Sequence, residues 1–365
     1  MKTNIALVHD HLTQSGGAER VLQVLQGMFP QAPTYTTVLN KENVDPAFSK
    51  GDIRPSFIQH MPFGVKRYQW YLPFMPAAFE QFDFSPYQLV ISSCSGLAKG
   101  IITPKSTSHV CYCYTPTRYL WSDRHTYVES RKMPRTMKSL VYAYLSYLRN
   151  WDYMAAQRVD HFIAISHTVK KRIKEYYNRD SEVIFPPVRV QAFAAGQGNG
   201  GYYLTGGRLT YYKRFDITVD AFSKLNIPLY VYGVGPELKR LQARARDNVH
   251  FLGRVSEERL KQLYAEAIAF INPQIEDFGI TMVESLASGR PVIAYDAGGA
   301  RDIIEEGVSG QFFDEQSWES LADIVMRFEP SAYNPETIRE HALRFSEESF
   351  TKSIMSFLSS KKLTE

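Results

Sequence analysis

From Gly201 to Glu306 the chain alternates short β-branched or aromatic runs with stretches of helical period. The runs GYYLTGG, PLYVYG, VHFLG, IAFINP and PVIAYD read as strands. Between them FDITVDAFSKL, GPELKRLQARARD, SEERLKQLYAEA and ITMVESLASG read as helices, and RDIIEE follows as another. Regular βα alternation dictates a parallel sheet covered by helices, with strands buried on both faces. The first half shows the same grammar less evenly. NIALV, YQLVISS, SHVCYCYT and HFIAIS are strands; AERVLQVLQGMF, KSLVYAYLSYLRNWDYMAAQRVD and HTVKKRIKEYY are helices; SEVIFPPV closes this half. VQAFAAGQGNGG, rich in Gly, Ala and Gln, reads as a linker. SWESLADIVMRF and SFTKSIMSFLSSKK are helices that finish the chain.

With 365 residues, 44% of them hydrophobic, the chain suits two cores rather than one. The expected division is 1–188, a linker at 189–200, 201–345, and a helix at 346–365 that packs back toward the first domain. Two doubly wound α/β domains of this kind are expected to face each other across a cleft, where ligands meet the carboxyl ends of both sheets.

Charge divides along the same line. Up to Phe185 there are 22 Lys and Arg against 14 Asp and Glu, giving +8; beyond it 20 stand against 24, giving −4. Either the halves meet different partners or their surfaces have simply drifted. Cys94, Cys111 and Cys113 form neither a disulfide framework nor a zinc pattern, so reduced thiols in the cytoplasm are expected. MKTNIALVHDHLTQSGG lacks the apolar core of a signal peptide, and no stretch has the apolar length of a membrane span. Any membrane contact is expected from the side.

The stretch EDFGITMVESLASG carries the chemistry. Pro273 ends a strand, QIEDF is a loop at its carboxyl end, and Gly279 lets a helix begin in close approach to a ligand. The first N–H groups of that helix are an anion site. Glu276 in the loop and Glu284 inside the helix flank it at different depths. Carboxylates accept hydrogen bonds from hydroxyls, so the arrangement suits a diphosphate with a sugar on each side, a nucleotide sugar. The plain structural alternative is a solvated loop acid plus a helix acid favoured by the dipole by roughly 0.3–1 kcal/mol. In GGRLTYYKRFD, Arg208 follows the strand-ending pair Gly206-Gly207, and Lys213 precedes the next helix. Two cations at one strand end can neutralise a diphosphate, one as a fork and one as a point charge.

At these residues the chain resembles the retaining GT-B glycosyltransferases of glycosyltransferase family 4. GGAER from Gly16, GGRLTYYKRFD, VYGVGPE, VHFLGRVSEERL, the two acids Glu276 and Glu284, and GGARDIIEEGVSG from Gly298 carry the resemblance nearly end to end. VHDHLTQSGGAERV, CYCYTPTRYLWSD and DHFIAISHTVKKRI are similar to bacterial mannosyltransferases of O-antigen and exopolysaccharide assembly. The resemblance implies an N-terminal acceptor-binding domain and a C-terminal domain for the nucleotide sugar. It implies that Arg208 and Lys213 hold the donor diphosphate and stabilise the leaving phosphate, and that Glu276 contacts the transferred sugar. Glu284 would bind the ribose. The backbone of Gly207, Phe278, Gly279 and Ile280 would cradle donor atoms, and Gly16 and Gly17 would approach the diphosphate from the other domain. Gly233, Arg254 and Val255 would line the base pocket. Transfer with retention would draw on electrostatic stabilisation of the departing diphosphate. No Asp-x-Asp is present, so neither metal nor cofactor is expected.

One position departs from the family pattern. Tyr114 stands where the family commonly has His before Thr-Pro. Tyr donates a hydrogen bond but carries no charge at neutral pH. Either the sugar pocket is altered or the change is silent. His9, Asp10 and His11 end the first strand, with Asp10 the candidate for acceptor contact and local packing the alternative for the histidines. Arg118, Trp121 and Asp123 either shape the acceptor site or are a packed ring beside a surface ion pair.

RPSFIQHMPFGVKRYQWYLPFMPAAF and TRYLWSDRHTYVESRKMPRTMK mix cations with aromatic rings. No nucleic-acid motif accompanies them, so nucleic acid is not an expected partner. Anionic headgroups suit this chemistry, as does a packed core with a charged rim. The reading favours a hexose, mannose first, moved from GDP-mannose to a polyprenyl-diphosphate-linked saccharide at the inner face of the cytoplasmic membrane. A UDP-sugar-dependent transferase, a non-catalytic nucleotide-sugar-binding protein, and an epimerase or hydrolase on the same scaffold are the alternatives.

Overall fold

A computed structural model describes residues 3–129 and 133–364. The chain divides into two compact units, Met1–Pro186 with Phe350–Glu365, and Pro187–Ser349.

The first unit holds a seven-stranded sheet of β1 (Ile5–His9), β2 (Thr34–Thr36), β3 (Ile53–Pro55), β4 (Leu89–Cys94), β5 (Ser108–Cys113), β6 (His161–Ala164) and β7 (Ser181–Val183), ordered β3-β2-β1-β4-β5-β6-β7. Every pairing is parallel. Both faces of β1 and β4 are buried, as their unbroken apolar runs require. The chain leaves β1 toward β2 and β3, then returns to place β4 on the other side. That reversal makes the β1/β4 boundary a topological switch point, where crevices open at strand carboxyl ends. The helix Glu347–Ser360 returns to this unit, as expected: Phe350 packs on Tyr112 at 5.6 Å, and Phe357 on His161 at 6.1 Å. Much of the span between β3 and β4 is short 3-10 turns, Phe57–His60 and Tyr68–Phe74, followed by the helix Met75–Glu80. Pro62, Pro73 and Pro76 in that span interrupt the longer helical ladders seen elsewhere.

The second unit holds six parallel strands, β8 (Tyr203–Gly206), β9 (Leu229–Tyr232), β10 (Val249–Gly253), β11 (Phe270–Asn272), β12 (Val292–Tyr295) and β13 (Gly310–Phe313), ordered β10-β9-β8-β11-β12-β13. Its switch point lies between β8 and β11, joined where Leu204 pairs Phe270 and Thr205 Oγ1 donates to Ile271 O at 2.8 Å. Residues 189–200, expected as a linker, are fastened to this unit. Gly196 N donates to Ser288 O, Gly198 N to Ala265 O, and the buried Arg290 reaches Gly196 O. Their low-complexity composition reflects close packing: a Cβ on Gly196 would lie 1.9 Å from Ala265 O.

Candidate active site

The β8/β11 switch point brings two of the residues singled out in the second unit together, Lys213 and Glu276. After β8, Gly207 turns with φ 130, Arg208 is exposed, and a 3-10 turn Tyr211–Lys213 carries the chain to Arg214. Arg214 takes the left-handed conformation, φ 52, and opens the helix Phe215–Leu225. After β11, the loop bearing Glu276 leads to Gly279, φ 115, which opens the helix Ile280–Ala287. Because β8 and β11 are neighbours, these two loops meet. Lys213 Nζ lies 3.0 Å from Glu276 Oε1, both side chains half-buried. Gln316 braces the same junction, donating to Pro273 O at 2.9 Å and accepting from Arg214 Nη1 at 3.3 Å.

Three glycines let strand ends approach closely. A Cβ on Gly233, φ 103, would lie 1.8 Å from Gly207 O, so no side chain fits there. Gly298 and Gly299 press on the Glu276 loop: Gly299 N donates to Glu276 O at 2.8 Å, and a Cβ on Gly298 would lie 2.4 Å from that oxygen.

Glu284 is buried at 6% exposure. Tyr264 OH donates to its Oε2 at 3.3 Å, and the Tyr232 hydroxyl lies 2.8 Å from that of Tyr264. Burial, with Tyr232 and Glu284 beside it, drives the Tyr264 phenol well above its ordinary value, so it stays a donor. Nothing local in the sequence joins Tyr232 and Tyr264 to Glu284; they come from other elements. Phe278 is buried, its ring against Phe345 at 5.6 Å. Arg254 is exposed and Val255 half-buried, just past β10.

The first unit gathers its residues at the β1/β4 switch point. Asp10 is buried and fully occupied. Its carboxylate accepts from Ser95 N at 2.6 Å, Gly96 N at 2.8 Å and Ala98 N at 2.8 Å, and from Ser95 Oγ at 3.1 Å. Burial alone would raise this carboxyl, but His9, His11 and the loop N–H groups hold it below its ordinary value. Gly16 caps the helix Gly17–Met28, and the buried Glu19 carboxylate folds back so that a Cβ on Gly16 would lie 2.9 Å from Oε2. Glu19 Oε1 lies 4.0 Å from His9 Nε2. The Tyr114 hydroxyl sits 2.7 Å from Ser93 Oγ and donates to Ala18 O at 3.0 Å, tying β5 to the glycine turn. Glu19 escaped the sequence reading although it sits inside GGAER.

Arg118 pairs with Asp123 at 2.9 Å. Trp121 stacks on Tyr176 at 5.1 Å and donates to Asp152 at 2.9 Å. Asp152 in turn accepts from Lys99 at 2.5 Å and Tyr177 at 2.8 Å, a buried ion pair that pins the loops after β4 and β5 to the helix Arg135–Arg158. Asp10, His11 and Arg118 line a cavity of about 390 Å³ whose other walls include Tyr68, Leu72, Met75 and Tyr119. Among the described residues no group of three or more His, Cys, Asp or Glu could hold a metal ion.

Residues 191–349 match the family model of glycosyl transferases group 1. The matched residues fall within the second unit. The O-antigen chain mannosyltransferase RfbU of Salmonella typhimurium is 29% identical over 195 residues, 48% of this chain and 55% of that protein. A GDP-mannose-dependent alpha-mannosyltransferase of Corynebacterium glutamicum is 37% identical over 109 residues, 30% of this chain and 26% of that one. The chain thus matches about half, or less, of these relatives' lengths. The solved structure of Anabaena Alr3699/HepE in complex with UDP aligns with a TM-score of 0.73 at 18% identity, over 98% of this chain and 100% of that one. The fold is GT-B, with two Rossmann-like units.

Proposed function

We propose that the protein is a glycosyltransferase that moves a hexose from a nucleotide sugar to a saccharide acceptor with retention. The observation that carries this reading is the junction of Lys213 and Glu276 at the β8/β11 switch point, beside a helix start opened by Gly279. Lys213 and Arg208 supply cations for the departing diphosphate, and the N-terminal end of the Ile280–Ala287 helix adds partial positive charge. Glu276 takes hydroxyls of the transferred sugar, and the buried Glu284, oriented by Tyr264, takes those of the ribose. Gly233, Arg254 and Val255 border the base. In the first unit, Tyr114 fixes the turn at Gly16 and Gly17, and the cavity at Asp10 and Arg118 serves the acceptor.

Two donors compete. GDP-mannose is supported by the mannosyltransferase relatives, one of which is named for that donor. A UDP-sugar is supported by the UDP-bound neighbour, whose likeness in fold covers 98% of this chain. For the acceptor, a polyprenyl-diphosphate-linked saccharide at the inner face of the cytoplasmic membrane fits a basic first half that contacts the membrane peripherally. The test is incubation of the pure protein with GDP-mannose or UDP-glucose and a lipid-linked saccharide, reading the anomeric configuration of the product by NMR. Retained configuration is expected. An inverted product overturns the retaining mechanism, and free sugar without an acceptor product overturns transfer.

A further inference from the structure

The helix Arg135–Arg158 carries two apolar stripes. One is core: Leu145, Leu148, Ala155 and Ala156 are buried. The other runs along its flank at Met137, Leu140, Tyr144, Tyr147, Trp151 and Met154, at alternating steps of three and four. Four of these are open to solvent: Met137 53%, Leu140 72%, Tyr147 66% and Met154 59% exposed. That spacing puts them on one face of the helix. Tyr144 OH donates to Leu72 O at 3.2 Å and so joins this face to the Tyr68–Phe74 turn. There Trp70 is 61% and Phe74 51% exposed, with Phe63 at 66% just before it. The guanidinium of Arg67 lies over Trp70 at 4.3 Å. A contiguous exposed apolar surface of this kind marks a docking face.

Its charge selects the occupant. Lys66, Arg67, Arg135, Lys138 and Arg149 border this face, against Glu129, which pairs with Lys138, and Glu80, which accepts from Trp151 Nε1, so cations prevail. A second copy docked isologously would set these cations against their own images. Anionic headgroups would neutralise them while Trp, Tyr, Met and Leu enter the interfacial layer. We propose that this face, the Met137–Met154 stripe with Phe63, Trp70 and Phe74, seats the protein on an anionic lipid surface. The inference rests on the membrane contact proposed above and deepens it: Phe63, Trp70 and Phe74 lie in the first basic-aromatic stretch. In the second basic-aromatic stretch, Trp121 and Tyr119 are packed against Tyr176 and Tyr127, and Ser130, Arg131 and Lys132 lie outside the described residues. The helix Arg135–Arg158, whose first turn ends that stretch, supplies the rest of the face.

The experiment is co-sedimentation of the full chain with vesicles of phosphatidylcholine alone or mixed with phosphatidylglycerol. The full chain is expected to pellet with the anionic vesicles only. The triple variant Trp70→Ser, Leu140→Ser, Tyr147→Ser is expected to lose partitioning about tenfold or more. Met326→Ser, at an exposed apolar site in the second unit, is expected to match the parent. The single variant Leu140→Ser, at the most exposed position, keeps the test valid if the triple variant does not fold. Equal pelleting of parent and variants, or no pelleting on anionic vesicles, overturns the proposal. So does a dimer in solution that the same variants dissociate, since the occupant is then a second copy. Nucleotide affinity measured on the same samples separates the two readings: a parent that pellets but binds no nucleotide keeps this face and loses the transferase.

Discussion

Lys213 Nζ and Glu276 Oε1 lie 3.0 Å apart across 63 positions of sequence, because the strands before their loops are neighbours at a reversal of strand order. Neither residue is deeply buried, so the pair stabilises the fold little, about 0–1 kcal/mol. Its worth is in position: a cation and an acceptor held together where a diphosphate and a sugar would meet.

Lys213→Ala is therefore expected to lower the transfer rate about 100-fold or more while leaving the melting temperature within a few degrees. Steady-state kinetics beside scanning calorimetry checks this. A loss of stability that matches the loss of rate would make the lysine structural.

Tyr264→Phe removes the phenol that donates to Glu284 Oε2. Removing a hydrogen bond to a charged group costs about 1.5–3 kcal/mol. Nucleotide affinity is expected to fall about tenfold or more, and Glu284→Ala to fall at least as far. Titration calorimetry with the preferred nucleoside diphosphate reads both, and unchanged affinity in either would remove Glu284 from the ribose site.

Gly233→Ala places a Cβ 1.8 Å from Gly207 O at a φ of 103. The ends of β8 and β9 would have to part, so nucleotide binding and thermal stability are expected to fall together. A crystal structure of the variant with both strand ends unmoved would contradict the close approach.

His109 is fully buried, and its ring is pushed down to about 3, by burial first and by the nearby Arg158 second. A group depressed on folding stabilises the fold above its unfolded value, about 6.5, and that stability is lost as pH falls toward the folded value. Unfolding free energy is expected to decline between about pH 6.5 and 3 with a slope of up to ~1.4 kcal/mol per unit from this residue. Urea melts of the parent and His109→Gln across that range measure the difference. Parallel curves would show that the imidazole plays no part.

Lys99 and Asp152 form a pair almost wholly removed from solvent. Removing one partner strands the other charge, so Lys99→Met is expected to cost about 3–5 kcal/mol in urea melts. A loss below 1 kcal/mol would mean that water reaches the pair.

The second half was the more legible, because most of its strands are short, largely apolar runs and Gly or Pro punctuates the turns after them. Gly279 and Gly289 bracket the Ile280–Ala287 helix where the sequence places its start and stop. Four strands went unread: β2, β3 and β7 have three residues each, and β13 carries Gly and Gln among its Phe residues. Asp10 looked like a ligand-facing acid at a strand end, and only the folded loop at 95–98 shows its carboxylate occupied. Tyr232, Tyr264 and Gln316 were invisible for a related reason. Their partners are set by strand order, which local periodicity does not encode. The exposed stripe of the Arg135–Arg158 helix was hidden because an apolar periodic face reads as core until the neighbouring elements are placed.

Titration calorimetry of the full chain with GDP, UDP and ADP, each with and without Mg²⁺, tests the central claim most directly. The account predicts that GDP or UDP binds clearly more tightly than ADP, with an affinity indifferent to Mg²⁺ and weakened by Glu284→Ala. Binding of none of the three, or binding that Glu284→Ala leaves unchanged, would contradict a nucleotide-sugar site at the β8/β11 switch point.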